Sequence, residues 1–227
     1  MDRGRSLGII GGLGVGATVH YYQQLAVAHE KRVRTMDLVM VHAQTERVFS
    51  YIKAGDREGL AEYLCHFVER LKEAGAEVAA IPAISAHYAI RELIEISPLP
   101  LFNVFDALNK EIKQRALKRV GLFGTRFVTE SSMFGMLEDV DVIKPKPDEI
   151  EYVNRIYLDL VIHASGTEEQ HRGLTELAWK RCKRDNLDAI ILAGTDFATL
   201  FDEGNTEFPR VDCAALHLRA MVKGLLH

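Results

Sequence analysis

The feature that most limits what this chain can fold into is an alternation of short apolar strands and amphipathic helices, run through twice. In the first half, Val78-Ala79-Ala80-Ile81-Pro82-Ala83-Ile84-Ser85-Ala86-His87 follows one such helix. In the second half, Ala189-Ile190-Ile191-Leu192-Ala193-Gly194-Thr195-Asp196 follows another. Each segment runs as an apolar strand and then breaks into small and polar residues. Strands that are apolar throughout are buried on both faces, and strands separated by helices pair in parallel. The expected class is therefore α/β, with parallel sheets covered by helices on both faces.

Strands are expected at Leu7–Ile10, Leu38–His42, Val78–Ile81 and Leu101–Val104 in the first half, and at Val120–Phe123, Val140–Ile143, Ala189–Leu192 and from Val211 in the second. The glycine turn Gly11–Gly16 leads to a helix over Ala17–Arg32. Leu60, Leu64, Phe67, Val68 and Leu71 give Arg57–Ala74 one apolar helix face, and Gly75 stops it. Further helices are expected at Asp106–Leu117, Thr129–Leu137, from an Asp148 N-cap to about Ala164, at Glu168–Arg184 and at Ala214–Leu225. The near-equal halves suggest two similar α/β domains, 1–105 with 210–227 and 106–209, and a ligand cleft between them. In such sheets ligands collect beyond the carboxyl ends of the strands, which is where the breaks at 11–16, 42–47, 83–87, 124–129 and 194–196 fall.

Gly11-Gly12-Leu13-Gly14-Val15-Gly16 is not a P-loop, because no Gly-Lys-Ser/Thr follows, and its third glycine comes too soon for a dinucleotide fingerprint. A tight turn whose backbone N–H groups approach a small anion, around Gly12 and Leu13, stands beside a purely structural turn. Arg47, after the second strand, offers a planar fork suited to a carboxylate, or is a solvated surface arginine.

These motifs resemble the aspartate/glutamate racemase family, over almost the whole chain. That family reads roughly P-C-N-T-A-H at the first strand end and G-C-T-E at the second; the cysteine positions here hold Ala83 and Gly194. Gly124-Thr125-Arg126-Phe127-Val128-Thr129-Glu130-Ser131 resembles its A-T-R-G-T-x-E-S, with Phe127 and Val128 in place of Gly-Thr. The resemblance implies substrate contacts from Arg47, Ser85, Thr125 and Thr195, and from Thr129, which is alternatively only an N-cap. Ile84 replaces an asparagine, so an amide is lost from that wall, and Phe127 suggests a changed or larger substrate. The family's reaction moves a proton off and onto Cα without a cofactor, using two thiols. Alanine and glycine carry no proton, so neither aspartate nor glutamate is expected to be racemised. His87, Asp196 and Ser85 remain as candidate catalytic groups. His87 opens a helix at the mouth of the cleft and is either an acid–base group near neutrality or structural; Asp196 either supports a base or caps the next helix.

Two functions follow: a divergent, cofactor-independent isomerase or lyase acting on a small carboxylate or amino acid, or a non-catalytic protein that binds one. The composition fits either. Hydrophobic residues make up 48%, ample for a core, and 28 Lys+Arg against 32 Asp+Glu leave a net charge of −4. Scattered, mildly acidic charge offers no field for nucleic acid or an anionic membrane. No apolar run approaches a membrane span, and the N-terminus enters a strand too soon for a signal peptide. Cys65, Cys182 and Cys213 have no metal-ligand spacing, and free thiols suit a reducing cytoplasm. A homodimer is what the resemblance implies.

Overall fold

The computed structural model describes residues 4–226. The chain divides into two compact units. The first takes the chain up to Asn103 and again from His217 onward; the second is Val104–Leu216. Each unit is built on its own four-stranded parallel sheet.

In the first unit, β1 (Leu7–Gly11), β2 (Leu38–His42), β3 (Val78–Ala80) and β4 (Leu101–Phe102) pair in the order β2-β1-β3-β4. β1 is buried along its whole length, as a central strand with both faces covered must be. Its helices are α1 (Val15–Lys31), α2 (Thr45–Ala54), α3 (Arg57–Glu73) and α4 (Ile90–Ile96). α3 buries Leu60, Leu64, Phe67, Val68 and Leu71, the face its spacing predicted. Asp56 caps it, its carboxylate accepting from the Gly59 N–H at 2.8 Å. Gly75 follows at φ +96°, open to glycine and strained for other residues.

In the second unit, β5 (Arg119–Gly124), β6 (Asp141–Val142), β7 (Ala189–Ala193) and β8 (Arg210–Asp212) pair in the order β6-β5-β7-β8. The order is that of the first sheet, strand for strand. Strand Arg210–Asp212 opens the C-terminal stretch assigned from sequence to the first domain; it pairs with β7 in the second sheet. The helices are α5 (Val104–Gln114), α6 (Arg126–Glu130), α7 (Pro147–His163) and α8 (Glu168–Asp185). The last helix, α9 (Cys213–Leu226), begins in the second unit and continues into the first.

Several boundaries differ from the sequence expectation. α2 was not expected at all; it buries only Val48 and Ile52. The fourth strand stops at Phe102, and Val104 and Phe105 bury instead as the first turn of α5. The N-cap after β5 is Thr125, not Thr129: the Thr125 hydroxyl accepts from the Val128 N–H at 3.3 Å. Asp148 lies inside the first turn of α7, behind Lys146 at the cap and Pro147, whose fixed φ and missing N–H suit the first helical position.

Each sheet is crossed in the same way. The chain goes from its first strand outward to one edge and returns to the other side for its third. That reversal leaves a crevice at the carboxyl ends of β1 and β3, and another at those of β5 and β7.

Candidate functional site

At the end of β1 the glycine turn is closed by hydroxyls. The Gly12 N–H donates to Thr18 Oγ1 at 3.3 Å, and Thr45 Oγ1 donates to the Gly12 carbonyl at 2.9 Å. Gly12 has φ +85°, and a Cβ there would lie 2.7 Å from the His42 ring. One N–H of the expected anion cradle is thus already engaged, and Leu13 is half-buried beside it. Arg47 sits exposed on α2 with its guanidinium over the Tyr63 ring, 5.6 Å from the centroid.

At the end of β3, Ala83 and Ile84 are buried and Ser85 is half-buried at the start of the 3₁₀ turn Ser85–Ala89. His87 is 1% exposed, not at an open mouth. Its Nδ1 lies 2.8 Å from the Ala83 carbonyl, and as an N–H donor it accounts for that contact. Its ring meets that of His217 edge-on, 5.8 Å between centroids. His217 Nε2 lies 2.9 Å from the Phe102 carbonyl and Nδ1 lies 3.2 Å from the Tyr21 hydroxyl. One tautomer satisfies both, with Nε2–H donating and Nδ1 accepting from the phenol. Burial holds His87 down to about 4 despite the Ala83 carbonyl, and burial together with His87 holds His217 down to about 3. The expectation of an acid–base group titrating near neutrality therefore gives way to a buried, neutral histidine pair.

The second unit closes its strand end differently. A Cβ at Gly194 would lie 2.2 Å from Tyr157 Cε2 and 2.9 Å from its hydroxyl. Tyr157, from α7, fills the place of a side chain at 194, and only glycine lets the ring lie on the backbone. Its hydroxyl donates to Asp196 Oδ2 at 3.2 Å, and the Thr195 side chain and Asp196 backbone also bond to it. Tyr157 is 7% exposed, Thr195 and Asp196 1% each. Burial first, then the charge of Asp196, holds the phenol well above its ordinary pKa, so it stays protonated.

On the neighbouring strand, whose Gly124 pairs with Ala193, Thr125 and Thr129 are buried. The Arg126 guanidinium is taken up by Glu130 and Glu151. Phe127 is half-buried and packs on Phe134, 5.5 Å between ring centroids.

The structure thus places Thr125, Thr129, Thr195 and Asp196 beyond the carboxyl ends of the paired strands β5 and β7. Gly12, Leu13, Ala83, Ile84 and Ser85 lie at the strand ends of the first. Tyr157 was missed because its helix position reads as core. The signal for it is the bare glycine at 194. Among the described residues no group of three or more His, Cys, Asp or Glu side chains is placed to hold a metal ion, and no helix is long and apolar enough to cross a membrane. Cys65 and Cys213 are buried and Cys182 half-buried; burial raises the pKa of each.

The family model for Asp/Glu/hydantoin racemases matches residues 10–221. A broad-specificity amino-acid racemase, RacX of Bacillus subtilis (strain 168), is 22% identical over 177 residues, covering 75% of this chain and 74% of that protein. A crystal structure of a candidate Asp/Glu racemase from Yersinia pestis superposes with a TM-score of 0.82 at 25% identity, covering 98% of this chain and 100% of that one. An aspartate racemase homologue from Pyrococcus horikoshii OT3 gives 0.79 at 23% identity, over 96% and 98% of the two chains.

Proposed function

The chain belongs to the Asp/Glu/hydantoin racemase family, and from that premise we propose that it acts on a small carboxylate or amino acid by cofactor-independent isomerase- or lyase-type chemistry, not by two-sided racemisation. One observation carries this. On the motif resemblance, the family's two cysteine positions fall at Ala83 and Gly194, and the space beside Gly194 is filled by Tyr157.

Racemisation takes a proton from one face of Cα and returns one to the other, so each face needs its own proton carrier. A methyl group and a hydrogen atom supply none. The groups left are Ser85 and His87 in the first unit and Asp196, with Tyr157, in the second. His87 is neutral at working pH and a weak base. Tyr157 stays protonated and is a donor, with Asp196 as the acceptor behind it. Such a set serves chemistry in which a proton leaves and returns on one side.

Candidate carboxylate contacts are, in the first unit, the backbone at Leu13 beside Gly12, the wall of Ile84 and Ser85, and Arg47, and, in the second unit, the hydroxyls of Thr125, Thr129 and Thr195. Deuterium incorporation at Cα of both enantiomers of aspartate and glutamate, read with chiral analysis, tests the reaction. No inversion is expected, and any deuterium enters with configuration retained. Inversion of either amino acid would sink the proposal.

A second reading, a non-catalytic carboxylate-binding protein, is favoured by the burial of His87 and Asp196. It predicts a raised melting temperature with these ligands and no product from any of them. We further propose a cytoplasmic homodimer. Val15, Val19 and Tyr22 leave an exposed apolar row on α1 for a second copy to cover. Light scattering on Val19→Lys, expected to run as a monomer, checks the dimer.

A further inference from the structure

We propose that the ligand carries an apolar side chain, aromatic or branched aliphatic, and that Phe127 is the residue that selects it. This rests on the small-carboxylate reading above and names the substrate class for the same site.

The inference starts from what the crevice of the second unit has left to offer. Arg126, at the first turn of α6 beside it, is held by two carboxylates, Glu130 and Glu151. Thr125 Oγ1 accepts from the Val128 N–H, and Ser131 Oγ donates to the Phe127 carbonyl at 2.6 Å and accepts from the Phe134 N–H at 3.3 Å. An acidic side chain entering here would lose its water and meet, in Arg126, a guanidinium already paired, which is costly. Aromatic carbon is what remains. Phe127 packs on Phe134, which in turn packs on Phe105 with centroids 6.2 Å apart. One strand over, the ring of Tyr157 covers Gly194.

The backbone is strained to make this wall. Ser132, Met133, Phe134 and Gly135 all have positive φ, at 51°, 53°, 63° and 68°. Left-handed conformations are unfavourable for side-chain-bearing residues, and three in a row persist only where the surroundings fix them. What they fix is Phe134 behind Phe127.

The test is calorimetric titration and thermal shift with L-leucine, L-phenylalanine, L-aspartate and L-glutamate and their enantiomers. Leucine or phenylalanine should bind roughly tenfold tighter than either acidic amino acid, the discrimination an apolar pocket gives. Phe127→Asn should cut affinity for the apolar ligands by about tenfold and erase the preference. Phe127→Leu, which keeps an apolar surface, should retain it. Tighter binding of aspartate or glutamate overturns the inference and leaves the carboxylate reading standing. Failure of all of these amino acids to bind overturns both. An apolar preference unmoved in a folded Phe127→Asn variant removes Phe127 from the role.

Discussion

The two units share a strand order and differ in what they bury. Beneath the first, Tyr21 and His217, hydrogen-bonded to each other, and His87, edge-on against the His217 ring, form an uncharged group drawn from α1, α9 and the turn after β3. Within the second, Arg181, wholly buried, lies between Asp185, 3.1 Å from its Nε, and the Ile143 carbonyl, 2.7 Å from its NH2. Arg184 joins Glu149 to Asp185 beside it. The same topology encloses uncharged polar groups once and charged groups once. The strand ends differ in parallel: Ala83 keeps a methyl group, while Gly194 gives up its side chain to Tyr157. A common backbone plan therefore fixes where a site lies, and the interior chosen beneath it fixes which conditions and substitutions it tolerates.

The contrast can be broken first at its most costly point. Arg181→Met should destabilise the protein by about 3 kcal/mol in urea denaturation, the low end for breaking a buried ionic group, since Arg184 still pairs both carboxylates. A loss under 1 kcal/mol would mean that charge does not hold the second unit.

Acid should separate the units. His87 and His217 sit below their unfolded value of 6.5, so the unfolded chain binds more protons between about 4 and 6.5. Stability is full above 6.5 and falls as pH drops toward 4, on the order of 3 kcal/mol for His87 alone. Glu149 and Asp185 are held below 4.5 and 3.8, chiefly by Arg184, so their contribution is lost only below those values. Hydrogen exchange at pH 5 should show the first unit opening ahead of the second; the reverse order would refute the contrast.

At the strand ends, Gly194→Ala should cost about 2 kcal/mol through overpacking, and Ala83→Gly about 0.5–1 kcal/mol through chain entropy alone. A coupling measured between Gly194→Ala and Tyr157→Ala sharpens this, because relief by the second substitution identifies the ring as the obstacle. Of similar size, Tyr21→Phe should cost about 1 kcal/mol by removing one neutral hydrogen bond. Chemical denaturation measures each.

Much of the fold could be read from periodicity, since β1, β3, β5 and β7 are apolar runs between helices of clear amphipathic spacing. α2 could not, because Val48 and Ile52 are too few apolar residues to mark a helix face. Leu101-Phe102-Asn103-Val104 reads as one strand, yet tertiary packing divides it between β4 and α5. The crevice positions were legible because small and polar residues interrupt apolar runs. The state of His87 was not, because it follows from burial, and one of the rings packed on it, His217, arrives from the far end of the chain. Tyr157 was hidden for the same reason: its partner Asp196 is 39 residues away.

Gly194 and Tyr157 also constrain the order in which this protein can change. A side chain at 194 and a ring at 157 exclude each other, so any lineage that acquires a thiol at 194 must first give up or displace the tyrosine. The intermediate carries neither group and leaves a hole in the core of the second unit. Each route to such a thiol thus begins with a loss of stability and no gain in chemistry, and selection resists the first step even where the second would be useful. The interlock works as a ratchet on the history of the site.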